Sequence, residues 1–391
     1  MTFPDLTDIP EEVLEIARTL EAAGHEAWCV GGALRDHLLG DTGTDYDLAT
    51  SAPPEEVQRL FRRTAAVGVR HGTVGVIDRR RVMHEVTTFR RDVATDGRHA
   101  TVAYGVSLDE DLARRDFTIN ALAYHPLRRE WRDPYGGAAD LERRVIRAVG
   151  VPAERFREDY LRILRALRFA ARFDFAIDPA TWAAARAAAD GLRQLSAERV
   201  RDEWFKGLAT ARDPGALARL WRDVGAAHVW LPELSDPAPY PEAAARPRDP
   251  VLLTALYTAD PVAVLRRLKG SNAEVGRAAA LAQGPAAPSG AAEADIRRWL
   301  ARVGDAADDQ IAIHRLRHGT EPDWAATVRA VRERGDAVGR SQLAIGGGDL
   351  QQLGITGPRI GEVLAKLLDR VVEDPTLNSR DALLALARRM A

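Results

Sequence analysis

Ala27-Trp28-Cys29-Val30-Gly31-Gly32-Ala33-Leu34-Arg35-Asp36, followed by Asp45-Tyr46-Asp47, is the stretch from which the rest of the chain can be read. A short apolar run enters a glycine pair, and Ala33 to Leu39 reads as a helix. Glycines between a strand and a helix leave backbone N–H groups open and let a phosphate chain approach closely. Asp45 and Asp47 stand two apart in a β-like run, so both carboxylates project from one face. Two like charges side by side are unfavourable unless a cation neutralises them. Hard oxygen ligands of this kind suit Mg²⁺. Met83-His84-Glu85-Val86-Thr87-Thr88-Phe89-Arg90 places a third carboxylate, Glu85, on an expected neighbouring strand. Three carboxylates can hold two metals, which activate an attacking hydroxyl and stabilise a leaving pyrophosphate.

Working outward, Tyr46 to Ala49, Thr73 to Ile77 and Arg81 to Thr88 read as short strands bounded by turns. Beyond about Leu141, Ala/Leu/Arg-rich stretches with 3.6-residue periodicity replace them. The fold class expected is therefore α+β at the start, followed by an all-helical remainder. Pro/Ala-rich breaks fall at Asp236 to Pro250 and Gly284 to Gly290, and no solenoid repeat is present.

At 391 residues, with 46% hydrophobic and 29% charged, the chain reads as an ordinary soluble protein of two or more domains. No run approaches the ~18 apolar residues that a membrane span needs. The acidic stretch Met1 to Glu12 has no apolar signal region, so the expectation is a cytoplasmic protein. Cys29 is the single cysteine, which excludes an internal disulfide and fits a reducing compartment. A net charge of −2 argues against indiscriminate coating of nucleic acid. Val151 to Arg222 nevertheless carries 14 Lys/Arg against 10 Asp/Glu, a local excess that suits a phosphate-facing surface. No Walker-type Gly-x-x-x-x-Gly-Lys-Ser/Thr loop occurs, and Gly346-Gly347-Gly348 lacks the lysine and reads as a turn. His314 and His318 are spaced for a metal on a helix, but with no third ligand in view they read as a surface pair.

The glycine–aspartate segment resembles the first motif of class II tRNA nucleotidyltransferases, the CCA-adding enzymes, whose superfamily includes bacterial poly(A) polymerases. Arg114-Arg115-Asp116-Phe117-Thr118-Ile119-Asn120-Ala121-Leu122 resembles the second motif, which contacts ribose and triphosphate. Asp133-Pro134-Tyr135-Gly136-Gly137 is similar to the third, a hinge. Glu158-Asp159-Tyr160-Leu161-Arg162 resembles the fourth, which selects the nucleotide, and Glu198-Arg199 through Glu203 resembles the fifth, which supports it. The five motifs, in order, cover about the first 205 residues. Asp349-Leu350 through Gly361 also resembles the family's tail.

The resemblance implies a polymerase-β-like nucleotidyltransferase head at 1–140 and a nucleotide-selecting helical neck at 141–205. A helical body at 206–285 and a tRNA-binding tail at 286–391 complete the expectation. It implies catalysis by Asp45, Asp47 and Glu85, with Mg²⁺ on Asp45 and Asp47. Gly31, Gly32, Arg35, Arg114, Asp116, Asn120, Glu158, Asp159, Arg162 and Arg165 are the implied nucleotide-binding residues. The partners implied are CTP, ATP and the tRNA 3′ end, with no membrane and no protein partner. The 3′-hydroxyl would attack the α-phosphate and release pyrophosphate.

The selecting helix can also be read physically. Phe156, Tyr160, Ile163, Leu164, Leu167 and Ala171 form one apolar stripe from Phe156 to Arg172. Glu158, Asp159, Arg162 and Arg165 fall opposite it. Asp159 accepts hydrogen bonds and Arg162 only donates. Cytosine and adenine both offer an amino donor beside a ring-nitrogen acceptor, so the pair complements both bases. Uracil and guanine present a ring N–H to an arginine that cannot accept it. Glu158 would steady Arg162 by an i,i+4 pair.

The product is less constrained than the class. Gly68 to Val74 resembles the CCA-adding version more than the poly(A) version. The polar segment Arg91 to Gly105, with Asp96-Gly97 as its turn, corresponds to a flexible loop that CC-only enzymes shorten. A poly(A) polymerase, a partial CC- or A-adding enzyme, a small-molecule nucleotidyltransferase and a catalytically silent RNA-binding protein stay open as alternatives. The chain has no His-Asp dipeptide, so an added metal phosphohydrolase is not expected.

Overall fold

A computed structural model describes residues 3, 5, 6, 9–41, 46–68, 72–95, 100–235, 240, 243, 245 and 248–390. Asp45 and the Asp96-Gly97 turn lie outside the described residues. The chain forms two compact units, Met1–Leu234 and Ser235–Ala391.

The first unit is built on a seven-stranded sheet whose strands lie in the order Thr64–Gly68, Thr73–Ile77, Met83–Thr88, Asp47–Thr50, Ala27–Val30, Ala123–His125 and Glu130–Arg132. Its strands are β1 (Ala27–Val30), β2 (Asp47–Thr50), β3 (Thr64–Gly68), β4 (Thr73–Ile77), β5 (Met83–Thr88), β8 (Ala123–His125) and β9 (Glu130–Arg132). The strands β6 (Arg90–Thr95) and β7 (Ala100–Tyr104) form a separate antiparallel hairpin, pairing Arg90 with Tyr104 at its root. The polar segment that reads as a loop is thus largely strand; its polar sequence lacks the apolar alternation that betrays a half-buried strand.

β1 is buried along its whole length because both its faces are covered. Ala27 and Cys29 join the larger core with helix α1 (Glu11–Ala22), while Trp28 and Val30 join a second cluster on the opposite face with Phe89 and Leu112. β1 leads into Gly31, whose φ of +83° an L side chain rarely adopts, and helix α2 (Gly32–Leu38) follows directly. Burial fully shields the Cys29 thiol and pushes its pKa up.

The remaining helices of this unit are α3 (Pro54–Leu60), α4 (Leu108–Ala113), α5 (Gly137–Glu142), α6 (Pro152–Glu158), α7 (Leu161–Phe173), α8 (Pro179–Ala187), α9 (Ala197–Thr210), α10 (Pro214–Val224) and α11 (Ala226–Trp230). Periodicity alone predicts one helix from Phe156 to Arg172, but the chain breaks between α6 and α7. Asp159 is extended (φ −154°, ψ 105°), and its carboxylate accepts the Leu161 N–H at 3.0 Å. Short polar side chains compete with the helix in this way. Tyr160 follows, and its ring lies where a Cβ on Gly191 would stand. Farther along, Trp204 of α9 and Trp221 of α10 are fully buried edge to face, 5.0 Å apart, anchoring that helical pair.

The second unit is helical: α12 (Pro250–Tyr257), α13 (Pro261–Arg267), α14 (Asn272–Gln283), α15 (Glu293–Val303), α16 (Ala306–His318), α17 (Ala325–Glu333), α18 (Gly347–Gln352), α19 (Pro358–Glu373) and α20 (Arg380–Arg388). The expected break at Gly284 to Gly290 carries no helix. Gly346 to Gly348 opens α18 instead of making a turn, because the Asp349 carboxylate accepts the Gly346 N–H at 2.8 Å. His314 and His318 lie ring beside ring, 4.4 Å between centroids.

Arg277 of α14 ties this unit together, donating twice to Asp309 of α16 and once to Asp249, all at 2.5 Å. Asp249 also caps α12 by accepting the Val251 N–H at 2.8 Å. Arg277→Met should remove the cation between Asp309 and Asp249 while Asp249 keeps its helix-capping bond, costing about 1–3 kcal/mol. Thermal unfolding of the second unit checks this; a midpoint within 1 °C of the parent would assign the bridge no net worth.

Candidate active site

Strands β2 and β5, the Gly31-Gly32 turn and α7 all line a cavity of about 630 Å³. Strand alternation explains what points into it. In β5, His84, Val86 and Thr88 are buried, which turns Glu85 and Thr87 the other way, toward the cavity. β2 runs parallel to β5 with Leu48 beside Val86, so Asp47 stands abreast of Glu85 on the same face. Gly31 closes the group, since a Cβ there would lie 3.5 Å from Asp47 Oδ2 and 3.6 Å from Arg115 Nη1. No cluster of three or more His, Cys, Asp or Glu occurs among the described residues. The two carboxylates present have the hard-oxygen character that a divalent cation requires.

The cavity's charge is lopsided. Nine arginines line it against four carboxylates: Asp47, Glu85, Asp116 and Asp159. A polyanion entering here meets a strongly favourable field. Four of the arginines, Arg162, Arg165, Arg168 and Arg172, come from one face of α7 at intervals of three and four residues. Three of these guanidiniums lie over aromatic rings: Arg165 and Arg168 over Phe169, and Arg172 over Phe173.

Each expected nucleotide-binding residue lines this cavity apart from Glu158, which sits behind Arg162. Arg35 is only 4% exposed. It donates to Asn120 Oδ1 at 2.5 Å and to Asp36 Oδ1 at 2.8 Å, beneath Phe169 and Phe173. Burial lowers its pKa against the pull of Asp36, and its place is the cavity floor. Asn120 in turn donates to Asp116 Oδ1 at 2.9 Å. Asp116 also accepts from the Phe117 amide at 2.8 Å and from Arg165 Nε at 2.8 Å. Burial alone would push the Asp116 carboxyl up, but Arg165, Asn120 and that amide hold it below the usual carboxylate range. Arg165 is itself raised: burial opposes its charge, and Asp116 and Glu203 outweigh the burial.

The residues expected to select the base are held from two sides. Arg162 donates to Glu158 Oε2 at 2.8 Å, as the i,i+4 reading anticipates, and also to the carbonyls of Arg155 and Arg114 at 3.2 and 3.0 Å. Glu158 is also bonded to Arg155. Asp159 accepts from Arg199 of α9 at 2.7 Å. Glu203, one helical turn after Arg199, accepts from Arg168 at 2.6 Å and faces Arg165 at 3.7 Å. The Glu198-to-Glu203 segment thus braces α7 through charge.

The implied set of site residues left out Arg90, Arg115, Arg168, Arg172 and Arg199, as well as Thr73 and Thr87. For α7 a signal existed: the spacing that brought out Arg162 and Arg165 continues to 168 and 172. No described helix is long and apolar enough to cross a membrane.

Comparison with known proteins bears on the family and the fold. The model of the Poly A polymerase head domain matches residues 27–147, and that of a probable RNA and SrmB-binding site of polymerase A matches 174–236. A CCA-adding enzyme of Lactiplantibacillus plantarum is 36% identical over 410 residues, covering 99% of this chain and 98% of that one. A CCA-adding enzyme of Streptococcus suis is 44% identical over 217 residues, so the match spans 53% of each chain. The crystal structure of the Bacillus stearothermophilus CCA-adding enzyme in complex with CTP superposes with a TM-score of 0.81 at 30% identity, covering 97% of both chains. The Thermotoga maritima CCA-adding enzyme complexed with tRNA shares the fold, at 20% identity and a TM-score of 0.64. Nucleotidyltransferases of this family use divalent metals. With a relative matched end to end, the chain belongs to the family of CCA-adding tRNA nucleotidyltransferases.

Proposed function

We propose that this chain adds CMP and AMP to tRNA 3′ ends from CTP and ATP, completing CCA without a nucleic-acid template. The observation that carries this reading is the cavity, where paired carboxylates stand at one end and an acceptor–donor pair, Asp159 and Arg162, at the other. Nine arginines, Arg162 among them, line the same cavity. Asp47 and Glu85, with Asp45 of the same run, would hold Mg²⁺. When bound, Mg²⁺ supplies Lewis-acid activation of the attacking 3′-hydroxyl and neutralises charge on the departing pyrophosphate.

The chain's own residues do the rest by position and charge. The open backbone at Gly31 and Gly32 lets the triphosphate come close, and Arg114 and Arg115 neutralise its oxygens. Asn120, gripped by Arg35, fixes Asp116 where the nucleotide's ribose would lie. Asp159 accepts the amino group shared by cytosine and adenine while Arg162 donates to the ring nitrogen beside it. Most of the rate then comes from holding the reacting groups in line in a pre-organised field.

The division into head (1–140), neck (141–205), body (206–285) and tail (286–391) is proposed on the same basis, with the tail gripping tRNA. The sole, shielded thiol of Cys29 suits a cytoplasmic setting.

Labelled CTP and ATP, supplied separately and together, should extend tRNA transcripts lacking CCA, lacking CA and lacking A, stopping each at one complete CCA. Extension that stops at CC, or adds only the last A, would replace this reading with a split activity. Long A tails would make the protein a poly(A) polymerase, the alternative favoured by the match to a Poly A polymerase head domain. No incorporation on any acceptor would sink the enzymatic reading.

A further inference from the structure

Asp111, in α4, is outside every motif read from the sequence. Its carboxylate is 1% exposed, yet it serves three groups that line the cavity. Oδ1 accepts from Arg114 Nε at 3.0 Å and from the Arg90 N–H at 3.3 Å. Oδ2 accepts from Arg115 Nη2 at 3.3 Å. The other arm of Arg115 donates to the Asn120 carbonyl at 3.4 Å and stands 3.6 Å from the Cβ position of Gly31. One buried charge therefore holds two neighbouring guanidiniums that line the cavity, and one of them, Arg115, reaches the glycine turn. Through the Arg90 amide Asp111 also pins the root of the β6–β7 hairpin. Two adjacent arginines repel, and each long side chain has about 2 kcal/mol of rotamer freedom to lose. The Asp111 carboxylate offsets that repulsion and fixes both side chains from behind.

We propose that Asp111 is the positioning residue for the nucleotide's triphosphate, aiming Arg114 and Arg115 at it. This rests on reading the cavity as the nucleotide site. The role makes a specific demand on the side chain. Asparagine has the shape of aspartate, but its amide NH₂ would face the Arg115 donor, so the bond becomes donor against donor.

The test is binding to the full-length protein, comparing CTP, ATP and CMP in the parent and in Asp111→Asn. Dissociation constants for CTP and ATP should rise together by about tenfold or more, the equivalent of one charge-assisted hydrogen bond. That for CMP, which lacks the β- and γ-phosphates, should stay within about twofold. Equal weakening of CTP and CMP, or a lowered melting temperature with CTP binding unchanged, would overturn the proposal and leave Asp111 a structural anchor. If Asp111→Asn does not fold, Arg115→Gln keeps the buried anion, removes one aimed group and should show the same triphosphate-selective loss. The assay reads binding alone. Failure of the parent to extend tRNA would therefore sink the functional reading without deciding this one.

Discussion

Asp47→Ala is expected to lower nucleotide incorporation by about 10³-fold or more while tRNA binding stays within about twofold. The expectation follows from where the side chain stands. Asp47 begins β2, beside Glu85 on the parallel strand β5, and its Oδ2 lies 3.5 Å from where a Cβ on Gly31 would stand. Its role in the proposed chemistry is to carry charge to the reacting phosphate, and no neighbouring side chain can replace an anion at that point. Its neighbours Leu48 and Ala49 are buried in the two cores, so the strand keeps its place when the first residue is shortened. Single-turnover incorporation and a filter-binding titration with tRNA, done on the same preparation, separate the two effects. Turnover within tenfold of the parent would end the assignment of Asp47 as a metal-bearing carboxylate.

The second large effect concerns a glycine with no chemistry of its own. A Cβ on Gly137 would lie 2.1 Å from the Thr118 carbonyl oxygen and 2.8 Å from its carbon. Backbone cannot swing aside as a side chain does, so Gly137→Ala must push α5 away from the turn Thr118–Asn120 or deform that turn. Overpacking against a fixed backbone costs about 3 kcal/mol or more. For a unit of this size that corresponds to a fall of roughly 6–12 °C in melting temperature. The damage should also reach the cavity, because Asn120 in that turn links Arg35 to Asp116. Calorimetry and CTP binding should therefore decline together. A variant with the parent's melting temperature would mean that the helix and turn adjust at little cost.

How far these features could be read in advance depended on their range along the chain. The strand–glycine–helix unit from Ala27 to Leu38 was legible because each part has a local cause: apolar residues, a turn that only glycine tolerates, then an amphipathic run. Glu85 was legible through strand alternation, which carries a side chain's direction in its spacing alone. The break at Asp159 was not, because the apolar stripe continues in phase across it and periodicity cannot sense an aspartate that captures a backbone N–H two residues on. The β6–β7 hairpin was missed for the opposite reason, having no apolar stripe to display. The ionic partners lay furthest from view. Arg165 meets Asp116 across 49 positions and Arg199 meets Asp159 across 40, so only the fold chooses them. Family resemblance named residues that line the cavity, apart from Glu158 behind it and Asp45 outside the described residues, without giving the bonds among them.

The ion pair between Asp159 and Arg199 has a bearing on fidelity. In the proposed role, the selector is already satisfied when no nucleotide is present. Where an incoming base takes the place of Arg199, a cytosine or adenine amino group replaces the bond it opens. A uracil or guanine opens the same pair and returns nothing, which costs about 1.5–3 kcal/mol for a hydrogen bond to a charged group. The right nucleotides meanwhile gain less than a bare carboxylate would give them. Accuracy and affinity are thus traded against each other in one 2.7 Å contact: a protein that reads bases without a template stays discriminating by binding its correct substrates less tightly than it could.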